Sequence, residues 1–188
     1  MNYKISSKKL VLTALLCAIG IIIPIFSPLK IVLEPASFTL ASHVPIFIAM
    51  FISPSVAVLV TIGTTIGFFF GGFPIVVVLR ALSHGVFAFL GANFMKKYPS
   101  ALNSTKNSFL YSLIIGFIHA LCEVLVVIPF YATSTLSEGY YNKGFLFSIM
   151  VLVGIGTIIH SMVDLFIAQK VWSSIPKSVT NKLVVIDS

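Results

Sequence analysis

TLASHVPIFIAMFISPSVAVLVTIGTTIGFFF, residues 39–70, runs for 32 residues without a Lys, Arg, Asp or Glu. A helix needs roughly 20 apolar residues to cross a hydrocarbon core about 30 Å thick. The stretch is therefore too long for one ordinary span and short for two. Its internal break is Ser53-Pro54, and proline disfavours helix in the residue before it, so a tight turn fits there. Whether the chain crosses once or twice in this stretch decides on which side everything downstream lies.

The rest of the chain answers that question through its charges. The protein has 188 residues, of which 58% are hydrophobic and only 9% charged. A soluble domain carries about 25% charged residues, so this chain cannot cover a water-facing surface. Its apolar runs, such as 46–52, 68–70 and 75–79, lack the polar face of a soluble amphipathic helix. Further spans are predicted over 10–26, 75–94, 109–131 and 145–171. Lysines form three clusters: Lys4, Lys8 and Lys9; Lys96, Lys97 and Lys106; Lys170, Lys177 and Lys182. All three are expected on the cytoplasmic side. The first two clusters must then be separated by an even number of crossings, which requires two within 39–70. The result is an all-α integral membrane protein of the cell membrane, multi-pass, with six transmembrane helices and both termini cytoplasmic. Residues 1–188 form a single domain. The net charge of +7 reads as this topological bias and not as a nucleic-acid-binding surface. The N-terminal run, without a small-residue cleavage site, reads as a retained span. Residues 27–38, 71–74 and 132–144 then lie outside, with Lys30, Glu34, Glu138, Tyr140, Tyr141 and Lys143.

Ionisable residues inside spans mark function or structural pairing. Arg80 lies in the outer half of the fourth span. Its guanidinium suits a carboxylate ligand; the alternatives are an ion pair with Glu123 or snorkelling to the surface. His119 and Glu123 stand four apart, on one helix face, and Arg80 with His84 repeats the spacing. His160 and Asp164 repeat it again nearer the cytoplasm, where an interhelical polar clamp is the plainer reading. His43 lies near the outer end of the second span. Tyr131, Tyr140 and Tyr141 are either an interfacial belt or a cover over a flat ligand. The candidate substrate-binding set is thus Arg80, His84, His119, Glu123, His43, Tyr131 and Tyr140. No metal site is expected: the ligand types are right, but Asp164 should lie well below Glu123, so the group is unlikely to share one ion. Cys17 and Cys122 form no CxxC pair and read as small packing residues.

There is no GxxxxGK[ST] loop and no GxSxG elbow. The chain is read as no enzyme, with no cofactor, and any pumping must draw on a partner or an ion gradient. A stand-alone proton-coupled secondary transporter of a small organic anion is the runner-up. A metal-dependent intramembrane hydrolase ranks behind it.

Six short spans, Lys8-Lys9 before Ala14-x-x-x-Ala18, and no ATPase motif resemble the substrate-binding S-components of the energy-coupling factor vitamin transporters. The resemblance covers the whole chain. It implies capture of a small water-soluble vitamin near the outer face. It also implies docking through Ala14 and Ala18 on a transmembrane coupling subunit, completed by two cytoplasmic ATPase subunits. The stretches 34–43 (EPASFTLASH) and 73–84 (FPIVVVLRALSH) are similar to the niacin-type members. Niacin offers a carboxylate for Arg80 and a ring nitrogen for a histidine or hydroxyl.

Overall fold

The computed structural model describes residues 7–33 and 36–184, with the backbone alone for 30–33 and 36–37. Lys4, Glu34 and Pro35, named above, lie outside the described residues, as does the side chain of Lys30. Helix α1 spans Ser7–Phe26 and is followed by a hairpin of β1 (Lys30–Leu33) and β2 (Ala36–Thr39). Its antiparallel register pairs Lys30 with Thr39 and Leu33 with Ala36. Then come α2 (Val44–Ile52), α3 (Pro54–Phe70), α4 (Ile75–Lys97) and α5 (Thr105–Ala132). A short α6 (Gly139–Asn142) leads into a π-helical stretch, Leu146–Ile155, continued by α7 (Gly156–Ser174); α8 is Lys177–Val184.

The protein is thus helical apart from one hairpin, and it is a multi-pass membrane protein. Among the described residues, four helical segments are long and apolar enough to cross a bilayer: Ser7–Phe26, Ile75–Lys97, Thr105–Ala132 and Leu146–Ser174. Helix α3 is apolar but has 17 residues. Their outward faces carry Leu15 and Ile22 on α1, Leu113 and Phe117 on α5, and Val163 and Phe166 on α7, all exposed. Such faces suit lipid.

Residues 39–70 do break at Ser53-Pro54. Ser53 is extended (φ −172°, ψ 158°) and its Oγ accepts the Val56 N–H at 3.2 Å, capping α3. Pro54 occupies the first helical position, where no N–H is needed. The turn sits at the lysine-rich end: Ser53 and Pro54 line one depression with Lys96 and Lys170, and Phe51 lies 5.7 Å from Trp172. Helix α3 runs back beside α2 from there.

Two expectations need correction. Residues 27–38 were read as a loop; most of them form the hairpin. A helical crossing was read from residue 39 onward, yet α2 has only nine residues. The cause is local. Ser42 N–H and Val44 N–H close turns onto Thr39 and Ala41 carbonyls, and Ala41 takes φ +67°, which no helix interior permits. The chain therefore runs through this stretch first as a strand and turn and then as the short α2. That short helix is buried on most sides (Val44, Pro45, Ile46, Phe47, Ala49, Met50, Ile52), packed among α1, α3, α4 and α7. An irregular backbone at membrane depth is tolerated where protein surrounds it.

Helices α1 and α3 meet through small residues. A Cβ on Gly63 would strike Cys17, one on Gly67 would strike Ile21, and one on Gly20 would come within 2.9 Å of Thr64 Oγ1. Such positions let backbones approach closely. The opposite face of α1, including Ala14 and Ala18, is exposed.

Candidate functional site

Three long helices each present polar residues at helical spacing, and the loop before α2 supplies the fourth wall. On α5, His119 and Glu123 are one turn apart and both buried. On α4, Arg80 and His84 are likewise one turn apart. On α7, Thr157, His160 and Asp164 follow at three- and four-residue steps.

Glu123 is the hub of the outer group. Its Oε2 accepts from Arg80 Nη2 at 2.7 Å and from Thr157 Oγ1 at 2.7 Å. Its Oε1 lies 3.1 Å from His84 Nε2 and 3.6 Å from His119 Nε2. The second distance is too long for a hydrogen bond, and both ring nitrogens of His119 are left unpartnered. The Arg80 charge balances that of Glu123, as a buried carboxylate requires. Arg80 Nε remains without a partner.

Asp164 is the hub of the inner group. It accepts the Ala41 N–H at 2.8 Å and the His43 N–H at 2.9 Å. It also lies 3.1 Å from His43 Nδ1 and 3.4 Å from His160 Nε2. This carboxylate fixes the turn that Ala41 makes in the left-handed region.

His43 joins the two groups. Its ring stands 4.8 Å from His84, 4.7 Å from His119 and 5.0 Å from His160, near edge-on in each case. Glu123 and Asp164 stay in separate groups. Thr157 and Asp164 are seven residues apart, about 10 Å along a helix, so the gap exists. His43, just before α2, touches both groups.

A cavity of ≈ 130 Å³ opens between these walls. Its polar lining includes Arg80, His84, Glu123, Thr157 and His160, and its apolar lining includes Phe38, Phe68, Phe73 and Val77. Phe38 lies 5.5 Å from the His160 ring and rests on Gly156, where a Cβ would come within 2.5 Å of it. Phe68 and Phe73 stack at 4.6 Å. Thr64 also lines the cavity, and its Oγ1 has no partner.

Of the residues picked from sequence, Arg80, His84, Glu123 and His43 line the cavity, and His119 sits behind them against the His43 and His84 rings. Tyr140 is buried near the Arg80–Glu123 pair, and burial raises its phenol pKa, with Arg80 lowering it in part. Tyr131 packs instead with Tyr141 at 4.8 Å and Phe145 at 5.3 Å, away from the cavity lining. Thr64, Thr157 and Phe38 were not picked. The two threonines carried a signal, since each is a polar residue inside an apolar span; Phe38 carried none among 17 phenylalanines.

A relative described as the niacin transporter NiaX, from Lactococcus lactis subsp. cremoris (strain MG1363), is 39% identical to this chain over 168 residues. The match covers 88% of the chain and 73% of the relative. No family model matches the chain, and no solved structure matches it.

Proposed function

The chain belongs to the family of the niacin transporter NiaX, and on that premise we propose that it binds niacin in the cavity beside Arg80 and carries it into the cell. It is a transporter and not an enzyme, as the family is. The finer reading is an S-component: six crossings, both termini cytoplasmic, high-affinity capture from outside, and uptake driven by an ATP-hydrolysing coupling module.

The observation that carries the reading is the state of Arg80. Its Nη2 is tied to Glu123, while its Nε, on a residue lining the cavity, has no partner. An unpaired buried donor is costly, and a ligand carboxylate relieves that cost with a charge-assisted bond. The cavity volume is close to the roughly 150 Å³ that accepts one benzene ring. Phe68 and Phe73 supply apolar walls, and Thr64 Oγ1 and the histidines supply partners for a ring nitrogen. For partner docking, the exposed Ala14 and Ala18 leave a shallow strip on α1 where another helix can come close.

The test is calorimetric titration of the purified full chain with nicotinate, nicotinamide, pantothenate, thiamin and riboflavin. Tight binding of nicotinate, with nicotinamide much weaker, is the expected result. Equal binding of acid and amide removes the carboxylate role from Arg80. Uptake into proteoliposomes by this chain alone, driven by a pH gradient, would replace the S-component reading with the proton-coupled carrier.

A further inference from the structure

Three histidines in mutual contact, His43, His84 and His119, with His160 against His43, exceed what a carboxylate anchor needs. His43, His84 and His119 each offer one ring nitrogen, and these atoms lie within 4.8 Å of one another. The second group, His43, His160 and Asp164, meets the same limit and shares His43. Imidazole is the common ligand of borderline divalent d-block ions.

Three features point to an ion. His119 is fully buried against the His43 and His84 rings with neither ring nitrogen hydrogen-bonded, the nearest carboxylate oxygen being Glu123 Oε1 at 3.6 Å. His43 Nδ1 meets Asp164 and His84 Nε2 meets Glu123. A carboxylate behind a histidine fixes its tautomer and orients its other nitrogen toward a metal. The charges complete the case. Arg80 offsets Glu123, but the side chains that face Asp164 are His43 and His160, and no lysine or arginine among the described residues pairs with it. Asp164 therefore has no permanent cation beside it.

We propose that His43, His84 and His119 hold one divalent transition-metal ion of the Zn²⁺ or Co²⁺ type, oriented by Asp164 and Glu123. His43 and His84 also line the cavity, so the ion's remaining coordination position opens toward it, in the manner of a three-histidine site that keeps one position for a small ligand. The ion site itself is independent of the niacin reading. Direct contact between ion and substrate rests on that reading.

The experiment uses the full chain in detergent, purified with a histidine-free tag and stripped with chelator. Zn²⁺ is titrated by calorimetry, and Co²⁺ by its ligand-field absorption, with no vitamin present. One ion per chain and an intense low-coordinate Co²⁺ spectrum are expected. His119→Gln, His43→Gln and His84→Gln should each abolish the stoichiometric site, and Asp164→Asn should weaken it by about 10–100-fold. Size-exclusion profiles confirm which variants fold. The wild-type Co²⁺ spectrum tests the site even where a variant does not fold. Substoichiometric binding by the wild type, a six-coordinate Co²⁺ spectrum, or folded variants that bind as the wild type does would overturn the proposal. Nicotinate is titrated afterwards into metal-loaded and metal-free protein. Tight binding to both leaves the niacin reading standing and removes the direct contact.

Discussion

Arg80 is the residue on which most consequences converge. Arg80→Ala leaves Glu123 buried and uncompensated, a cost of about 3–5 kcal/mol, so unfolding would mask any effect on binding. Arg80→Lys keeps the charge and loses the fork. A hydrogen bond to a charged group contributes about 1.5–3 kcal/mol, so nicotinate affinity should fall about 10- to 100-fold in this variant. Calorimetry is the check, and nicotinamide affinity should stay unchanged. At Asp164, substitution by alanine strips the acceptor from the Ala41 and His43 N–H groups. Each orphaned donor costs about 1–3 kcal/mol, and the loss should appear as a lower melting temperature in detergent. The pairing of Arg80 with Glu123 could be anticipated, because both lie in the outer halves of their spans. The junction made by His43 could not. It depends on α2 beginning only at Val44, which follows from the turn at Ala41 and from Asp164, 123 residues away.

Among the elements, the break at Ser53-Pro54 was legible because its cause is local: a capping hydroxyl and a proline at the first helical position. The hairpin and the π-helical stretch were not. The four-residue strands are too short for a period-2 pattern to stand out. A π-helix is read from its hydrogen bonds, and the sequence of Leu146–Ile155 resembles any apolar helix. The contact of α1 with α3 gives a test at this scale. Gly63→Leu forces Cys17 aside, and overpacking of this kind costs about 1–3 kcal/mol, readable as a lower melting temperature. Gly156→Ala acts on the site instead. Its Cβ would come within 2.5 Å of Phe38, so the ring must leave its place near His160. Nicotinate affinity should drop while the melting temperature changes little; an unchanged affinity would remove Phe38 from the binding wall.

Across the whole molecule, the proposed binding site and the proposed docking face occupy different surfaces. The cavity lies among the hairpin and α1, α2, α3, α4, α5 and α7, whereas Ala14 and Ala18 face outward on α1. Ala18→Trp should therefore leave nicotinate titration intact and abolish uptake in cells that express the coupling module. Uptake at the wild-type rate would move the docking surface elsewhere. The membrane character was plain from composition, since so few charges cannot clothe a soluble surface, whereas the relation of these two surfaces depends on the rotation of α1, which its sequence leaves open. The short α2 also governs how the protein comes into being. Nine helical residues extend about 14 Å, less than half the hydrocarbon core, so α2 is too short to cross a bilayer by itself. The His43 N–H then finds Asp164 only when a residue 121 positions later has been synthesised. Until that moment the turn at Ala41 lacks the acceptor that holds it. A nascent chain halted at residue 145 should thus leave residues 39–43 open to protease, and the full-length chain, in which Thr39 and His43 are buried, should protect them. The cavity thus closes only once His160 and Asp164 have been made, and a mutation that slows arrival of that segment should lengthen the time for which the chain is open to proteolysis.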